Sequence, residues 1–376
     1  MIDSILLFPY WISLKIRHLL YDKGIRKVHR AEVPTICVGN ITAGGTGKTP
    51  HTEMILRELL AQSAWKGSNI SVLSRGYKRK TKGFQQVTVD SSARDYGDEP
   101  LQIKSKFPEI TVAVDKSRVE GCRFLVHPEE LLSDKKARKC KNKEMQASDL
   151  IILDDAFQHR SLKASVSIVL VDSHRPLFRD HLIPLGRLRD LPERAGDADI
   201  LIVTKCPHDM NGWEKSSWAE ALGINDYDPL QCKGHNAKGR VQYLFFTEIV
   251  YDTAQPVFPE GDSRYLYAKK VILFTGIAND APLQRFLSSS YRLAHHFNFP
   301  DHHSFTRRDL SKIKSASLQW PTSVLITTEK DSQRLRECKY VCNELKQRMF
   351  YVPIKAEFIC DGDKDIFINL LNGLWK

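Results

Sequence analysis

The chain has 376 residues, of which 42% are hydrophobic and 27% are charged, and its formal net charge at pH 7 is +11. This length can bury a large core and favours two domains, and the composition is typical of a globular protein rather than a disordered one. The positive charge indicates a polyanionic partner, namely nucleic acid, an anionic membrane or a phosphorylated substrate.

The amino terminus joins an apolar, aromatic stretch to a run of bases. ILLFPYWISL (5–14) is uncharged, and KIRHLLYDKGIRKVHR (15–30) follows it. The apolar stretch is shorter than the ~20 residues that a membrane-spanning helix needs. The bases come after it, which is not the order of a signal peptide. Residues 1–28 therefore predict an amphipathic helix, which either lies in a membrane interface or packs on its own protein.

Farther along the chain, short apolar runs alternate with longer stretches that have room for a helix. The predicted buried strands are residues 35–40, 70–74, 111–115, 150–155, 166–172 and 200–205. Because parallel strands need crossover connections, the alternation predicts a mostly parallel sheet flanked by helices. The polar, basic segment 133–148 is predicted to be an exposed insertion.

The sequence changes character after residue 232. Residues 232–240 are predicted to form a linker, and the strands beyond it are predicted at 243–251, 270–278, 323–328 and 349–354. The predicted organisation is therefore an amino-terminal segment at 1–28, an α/β domain at 29–232 and a smaller α/β domain at 233–376.

The segment GNITAGGTGKTP (39–50) nearly matches the phosphate-binding pattern G-x-x-x-x-G-K-[ST]. Its second half fits, but Thr42 stands where the first glycine is usual. The segment lies between a predicted strand and a predicted helix, which is the context that a phosphate loop requires. The alternative is a tight turn with a surface lysine. The predicted phosphate-binding residues are Thr42, Ala43, Gly44, Gly45, Thr46, Gly47, Lys48 and Thr49.

Two adjacent carboxylates, Asp154 and Asp155, end the predicted strand 150–155. A phosphate loop needs an acidic residue at the end of a nearby strand, and buried carboxylates are costly without a cation or hydrogen bonds. We expect Lys48 to reach the β- and γ-phosphates, and Thr49 and Asp155 to hold Mg²⁺. The alternative is an ordinary aspartate at a strand-to-turn junction.

Two departures from the GTPase patterns disfavour guanine nucleotides. Pro207 stands where the [NT]-K-x-D motif needs an aspartate, and Phe157 and Gln158 follow the aspartate pair where the D-x-x-G motif needs glycine. The sequence therefore favours ATP.

Six further segments have the composition of functional motifs, namely SRGYKRKTKGF (74–84), YGDEP (96–100), LDDAFQHR (153–160), IPLGRLRD (183–190), FPDHHSF (299–305) and TTEKD (327–331). Taken with the phosphate loop, they resemble the motifs of the tetraacyldisaccharide 4′-kinase family, the lipid A kinases of the Gram-negative envelope. The family's own loop has no glycine at the position of Thr42, while Ala156 and Asp190 replace a family glycine and glutamate.

The resemblance implies that residues 29–232 form a P-loop NTPase-type kinase domain. The implied reaction transfers the γ-phosphate of ATP, with Mg²⁺, to the 4′-hydroxyl of a tetraacylated glucosamine disaccharide 1-phosphate, forming lipid IVA. We expect a monomer that binds the anionic inner membrane at its cytoplasmic face, peripherally or monotopically, and binds no nucleic acid. A metallochaperone or assembly ATPase and a nucleic-acid-binding ATPase remain as alternatives.

The resemblance also implies roles for residues outside the phosphate loop. Asp98 is expected to accept or orient the proton of the attacking hydroxyl, with a helix N-cap as the alternative. His302 is expected to act at the γ-phosphate, with His303 as the alternative. Asp190 is expected to ligate Mg²⁺, directly or through a water. The implied catalytic residues are Lys48, Asp98, Asp154, Asp155 and His302.

A cluster of basic residues follows the predicted strand 70–74, namely Arg75, Lys78, Arg79, Lys80 and Lys82. They are expected either to meet the 1-phosphate or lipid headgroups, or to form a solvated loop.

Overall fold

The computed structural model describes residues 2–66 and 69–373, and the side chains from residue 7 onward within them. The chain forms two compact units. The first comprises residues up to Val89, Ile103–Ile249 and the segment from Ala356, and the second comprises Asp90–Gln102 and Val250–Lys355. The predicted division of the chain into domains at 1–28, 29–232 and 233–376 has other bounds than these compact units and stays a prediction.

A large, mostly parallel sheet forms the centre of the first unit. Its strands are β1 (Thr35–Asn40), β2 (Ile70–Ser74), β3 (Gln85–Val87), β4 (Thr111–Val114), β5 (Leu150–Asp154), β6 (Val166–Asp172), β7 (Ile200–Thr204), β8 (Asn225–Asp228), β9 (Lys233–His235) and β10 (Val241–Tyr251). Their order is β3-β4-β2-β5-β1-β6-β7-β10-β9-β8. The strands β1, β2, β5 and β7 are buried at every position, as expected when helices cover both faces of a parallel sheet.

The second unit has its own smaller sheet. It contains β11 (Gln255–Pro256), β12 (Lys270–Thr275), β13 (Arg292–Asn298), β14 (Val324–Thr328) and β15 (Met349–Val352), in the order β11-β15-β14-β12-β13. All pairs are parallel except that of β11 with β15. A last strand, β16 (Ile354–Phe358), pairs with β10.

Helices connect and cover these strands. They are α1 (Ile2–Asp22), α2 (Lys48–Ala61), α3 (Ala93–Tyr96), α4 (Asp98–Lys106), α5 (Arg118–Val126), α6 (Glu130–Ser133), α7 (Gly212–Ala221), α8 (Ala281–Ser288), α9 (Arg307–Gln319), α10 (Glu329–Arg336), α11 (Asn343–Arg348) and α12 (Asp361–Gly373). The predicted α/β architecture, with a second smaller sheet and an amino-terminal helix, is confirmed. None of the helices in the described parts of the chain is both long and apolar enough to cross a membrane.

The prediction of a linker at residues 232–240 is wrong. The supposed linker contains β9, which pairs with β10 through backbone hydrogen bonds. The strand predicted at 243–251 lies within β10, which pairs in parallel with β7 of the large sheet. Polar β9 gave no sign of its partner because strand pairing depends on residues distant in sequence. The predicted insertion 133–148 is largely exposed, as expected, although Ala137 and Cys140 are buried in the core of the first unit.

Candidate active site

The segment between β1 and α2 forms a glycine-rich loop at the amino terminus of α2. Gly44, Gly45 and Gly47 have φ of +77°, +57° and +85°, in the left-handed region that other residues rarely adopt. Such turns direct successive backbone N–H groups toward one point, where the helix N-terminus adds a partial positive charge. The loop is therefore built to receive phosphate oxygens.

Thr42 accounts for the departure from the general phosphate-loop pattern. Its backbone forms an antiparallel β-bridge with Leu188, and its side chain is buried. Because this pairing uses extended backbone, which any residue adopts, the position does not need glycine.

Hydrogen bonds from neighbouring segments fix the loop. Asn40 Nδ2 donates to Thr46 Oγ1 at 2.5 Å, and Thr204 Oγ1 donates to the Thr46 carbonyl at 3.1 Å. The backbone N–H of Ala43 donates to the Arg187 carbonyl at 2.7 Å. Thr46 therefore shapes the loop, and its side chain faces the protein rather than a ligand.

His51, in the first turns of α2, holds the loop from the helix side. Its Nδ1 lies 2.7 Å from the Gly47 carbonyl and its Nε2 lies 2.8 Å from Thr247 Oγ1. Burial lowers the pKa of His51 to about 4, so the imidazole is neutral at physiological pH. A carbonyl only accepts, so Nδ1 carries the proton and Nε2 accepts from the threonine hydroxyl.

Lys48 and Asp155 meet at the mouth of the loop. Lys48 Nζ lies 3.9 Å from Asp155 Oδ1, and Arg189 donates to both oxygens of the same carboxylate, with Nη1 to Oδ2 at 3.1 Å. Arg189 also donates to the side-chain oxygen of Asn40. Burial alone would raise the pKa of Asp155, but the charge of Lys48 and the hydrogen bond and charge of Arg189 outweigh it and lower that pKa. Asp155 is therefore ionised.

Asp154 and Asp155 are held in place by their backbone as well. Arg118, a buried residue, donates to the carbonyl oxygens of Asp154 at 3.0 Å and Asp155 at 3.4 Å. Ser74 Oγ donates to Asp154 Oδ2 at 3.0 Å. Asp155 itself has φ of +49°, which is uncommon for a residue other than glycine and typical of functional sites.

The oxygen donors beside the loop suit a hard divalent cation. Asp154 ends β5 and pairs in register with Val38 of β1, the strand that leads into the loop. Thr49 is the second residue of α2 and is half-buried. A hydroxyl and carboxylates at the end of a strand beside a phosphate loop are the ligands that Mg²⁺ takes in such sites.

Asp190 contacts the amino-terminal helix. Its side chain has 0% exposure, and its Oδ1 lies 2.6 Å from His18 Nε2 of α1 and accepts from the Leu191 N–H at 2.9 Å. Its neighbour Arg189 instead contacts Asp155. Ligation of Mg²⁺ by Asp190 stays a prediction. The contact with His18 gives this carboxylate a structural role as well, because it joins α1 to the segment after Arg189.

One face of α1 packs on the segments that surround the loop. Tyr10 Oη donates to the Arg189 carbonyl at 2.9 Å, and Arg17 donates to the Gln158 carbonyl at 2.5 Å. On the exposed face, Phe8 and Trp11 are 57% and 40% exposed and stack on each other. Packing on its own protein, one of the two predicted alternatives, is therefore observed for one face, while the other face is free of the core.

Within the second unit, Asp98 forms a charged cluster. Its Oδ2 lies 3.1 Å from His302 Nδ1, and Arg334 donates to both carboxylate oxygens, with Nε to Oδ1 at 3.2 Å. Lys330 Nζ lies 3.1 Å from His302 Nε2 and 3.1 Å from Glu99 Oε1. Asp98 is the first residue of α4, and its carboxylate bonds these side chains, which is not the geometry of an N-cap.

The cluster fixes the charge of Asp98. Lys330 Nζ and Arg334 Nη2, which can only donate, lie 3.1 Å from His302 Nε2 and 3.0 Å from His302 Nδ1. Burial would raise the pKa of Asp98, but hydrogen bonds from His302 and Arg334 and the charges of Arg334 and Lys330 lower it to about 2. His302 has φ of +63°, and its backbone N–H bonds the Gly276 carbonyl at 3.1 Å.

His303, the predicted alternative to His302, has structural partners. Its ring stacks on Phe299 with centroids 4.6 Å apart, and its Nε2 lies 3.0 Å from Asp309 Oδ2 at the start of α9. The geometry therefore brings His302, and not His303, to Asp98.

A family model, Tetraacyldisaccharide-1-P 4'-kinase, matches residues 4–374. The chain belongs to this family.

Curated relatives and a solved structure agree with the assignment to the 4′-kinase family. The chain is 38% identical to tetraacyldisaccharide 4'-kinase of Phocaeicola vulgatus over 98% of this chain and 93% of the relative. It is 38% identical to that of Parabacteroides distasonis, over 95% and 90%. It is also similar to LpxK from Aquifex aeolicus, whose crystal structure is an "apo" form in complex with ATP, with 25% identity, a TM-score of 0.69 and full coverage of both chains. As a family member, this chain is an ATP-dependent kinase that phosphorylates the lipid A precursor at its 4′ position.

Some residues of these clusters were not predictable from sequence motifs. Arg334 lies beyond the TTEKD motif, and the position of Lys330 within that motif does not indicate its contact with His302. Both lie on α10 at a spacing of four residues, which places them on one face of the helix. Arg189 lies within the segment IPLGRLRD, whose pattern does not indicate its contact with Asp155, and His51 lies in no motif.

Proposed function

We propose that this 4′-kinase binds the ATP phosphates at the loop of residues 42–49 and activates the acceptor hydroxyl at Asp98, forming lipid IVA from a tetraacylated glucosamine disaccharide 1-phosphate. The observation that carries the proposal is the left-handed glycine loop that ends in Lys48, with Asp155 and Arg189 beside the lysine. Phosphoryl transfer needs mainly positioning and neutralisation of charge, and this arrangement supplies both.

On the nucleotide side, the backbone N–H groups of the loop hold the phosphates and Lys48 neutralises the charge that develops on the γ-phosphoryl group. Arg189 keeps Asp155 ionised and oriented, since it bonds both carboxylate oxygens. Thr49 and Asp155 would hold Mg²⁺, with Asp190 as a further candidate, and the bound ion would neutralise phosphate oxygens.

On the acceptor side, Asp98 acts on the proton of the 4′-hydroxyl. With its pKa lowered to about 2, Asp98 is a weak base. It serves mainly to accept a hydrogen bond from the hydroxyl and so to orient a lone pair of the hydroxyl oxygen toward the γ-phosphate. In a loose transition state the nucleophile loses its proton late, so the proton can pass to a weak base as the new P–O bond forms. His302 and Arg334 are positioning residues for this carboxylate.

The exposed face of α1 suits an anionic membrane surface. Phe8 and Trp11 present aromatic rings, and Lys15 lies over the Trp11 ring with its nitrogen 5.5 Å from the centroid. Aromatic residues beside lysines are typical of helices that lie in the membrane interface. We propose that α1 brings the enzyme to its lipid acceptor at the cytoplasmic face of the inner membrane, and that the enzyme acts as a monomer without nucleic acid.

A coupled assay of ADP release tests the proposal. ADP should appear only when ATP, Mg²⁺ and the disaccharide 1-phosphate acceptor are all present. Without the lipid, neither DNA, RNA nor a divalent metal other than Mg²⁺ should stimulate ADP release. Release of ADP that depends on nucleic acid, or that proceeds at full rate without the lipid, would reject the proposed reaction.

A further inference from the structure

A large cavity lies in the first unit between the loop that follows β6 and helix α7. Its volume is about 800 Å³. The side chains that define this arginine cavity are Arg175, Phe178, Arg179, Leu185, Arg187 and Trp218. No residue predicted to bind ATP or Mg²⁺ lines it.

The cavity carries an excess of positive charge, since three arginines and one aspartate line it. Within the described parts of the chain, Arg175, Arg179 and Arg187 form no ion pair with a carboxylate. The acidic residue of the lining, Asp180, is engaged by its own loop, because its Oδ1 accepts the N–H groups of His181 at 2.8 Å and Arg187 at 3.1 Å. Three such guanidinium groups suit a phosphate, whose oxygens match their paired donors.

The cavity also has an apolar wall. The rings of Phe178 and Trp218 are tilted against each other with centroids 5.6 Å apart, and Phe178 and Leu185 are 44% and 43% exposed. Large exposed apolar side chains among arginines fit a ligand that is both anionic and amphiphilic.

The loop that forms the cavity is tightly built and continues into the phosphate loop. A Cβ at Gly186 would come within 2.2 Å of the His181 carbonyl oxygen, so this turn requires glycine. Arg187 accepts the N–H of Ala43, and Leu188 bridges Thr42. The arginine cavity is thus one hydrogen bond from the residues that we assign to the ATP phosphates.

We propose that the arginine cavity binds the 1-phosphate end of the acceptor, with Arg175, Arg179 and Arg187 at the phosphate and Phe178 and Trp218 against the adjoining sugar or acyl chains. The inference rests on the proposed function. The 1-phosphate lies at the opposite end of the disaccharide from the 4′ position, so it needs cations other than Lys48. In the basic segment 75–82, Arg79 already donates to the carbonyls of Val114 and Gly83, and the lysines of that segment are the competing candidate.

The test compares two acceptors in neutral detergent micelles, namely the disaccharide with its 1-phosphate and the same disaccharide with a free 1-hydroxyl. Wild-type enzyme should prefer the phosphorylated acceptor. The double variant Arg175→Gln/Arg179→Gln should lower kcat/KM for that acceptor by roughly 10–100-fold, as expected for lost charge-assisted hydrogen bonds. Its kcat/KM for the 1-hydroxyl acceptor and its KM for ATP should stay at wild-type values.

Two matched variants control the experiment. Arg138→Gln removes an exposed arginine elsewhere in the unit and should change nothing, and Lys80→Gln/Lys82→Gln tests the segment 75–82. Because the exchanged side chains are exposed, melting temperatures should not change.

Any one of the following four outcomes with the variants would overturn the inference. They are an equal loss with both acceptors, a raised KM for ATP alone, a loss seen only when anionic lipid vesicles are added, and a loss of 1-phosphate preference confined to Lys80→Gln/Lys82→Gln. A wild-type enzyme that is active but indifferent to the 1-phosphate rejects the cavity and leaves the proposed function standing. Transfer to neither acceptor rejects both.

Discussion

Replacement of Asp98 by asparagine separates a catalytic carboxylate from a structural one. The substitution keeps the shape of the side chain but removes the charge that Arg334 and His302 contact. A pKa lowered from 3.8 to about 2 corresponds to about 2 kcal/mol of interaction with the folded protein. We therefore expect Asp98→Asn to reduce the free energy of unfolding by about 2 kcal/mol, measured by urea denaturation at pH 7.

The same contacts fix the pH range of this effect. Because the pKa is lower in the folded protein, the stabilisation is fully present above about pH 4 and disappears as the pH falls toward 2. The wild type should lose more stability across this window than Asp98→Asn does.

The kinetic effect should be far larger than the loss of stability explains. Most of the protein stays folded after a loss of about 2 kcal/mol, yet the single-turnover rate of transfer should fall by roughly 10²–10⁴-fold while ATP affinity is kept. Asp309→Asn is the matched control, because Asp309 also contacts a histidine and belongs to the capping box of α9. It should lose about 1 kcal/mol of stability and keep its rate. A normal rate in folded Asp98→Asn would refute the role of this carboxylate.

Three further substitutions test the phosphate loop and the amino-terminal helix. Lys48→Ala should lower kcat by roughly 10²–10⁴-fold with an unchanged melting temperature, and near-normal turnover would remove the loop from the mechanism. His51→Gln should weaken ATP binding, measured by calorimetry, because the bond to the Gly47 carbonyl is lost. The His51 pKa is lowered to about 4, so the free energy of unfolding of the wild type should fall by up to about 3 kcal/mol as the pH falls from 6.5 to 4. The same pH dependence in His51→Gln would contradict this assignment. Phe8→Ser/Trp11→Ser should reduce sedimentation with anionic vesicles without altering stability, and equal sedimentation would reject the membrane face of α1.

The strands that could be predicted are the buried ones, because each consists mostly of consecutive apolar residues. The runs at 35–40, 70–74 and 166–172 coincide with β1, β2 and β6, because a parallel sheet covered on both faces excludes polar residues from its centre. Strands at or next to the edges of the sheet lack this signal. Both β3 (QQV) and β9 (KGH) are polar, and their pairing with β4 and β10 is decided by distant residues.

The same division holds for the site. The phosphate loop was predictable because its glycines, lysine and threonine are consecutive, so local sequence specifies local shape. Arg334 was not, since it reaches Asp98 across 236 residues of sequence and only the fold brings the two together. The contact of Asp190 with His18 spans 172 residues of sequence, so no local motif indicates it.

The enzyme moves the γ-phosphate of ATP to the 4′-hydroxyl of a lipid disaccharide 1-phosphate, and phosphorus NMR of the extracted lipid after incubation with ATP and Mg²⁺ observes this transfer. We expect a second phosphomonoester at the 4′ position beside the unchanged 1-phosphate, with one ADP formed for each. A lipid that keeps a single phosphate while ATP is consumed, or a new phosphate at any other position, would disprove the transfer.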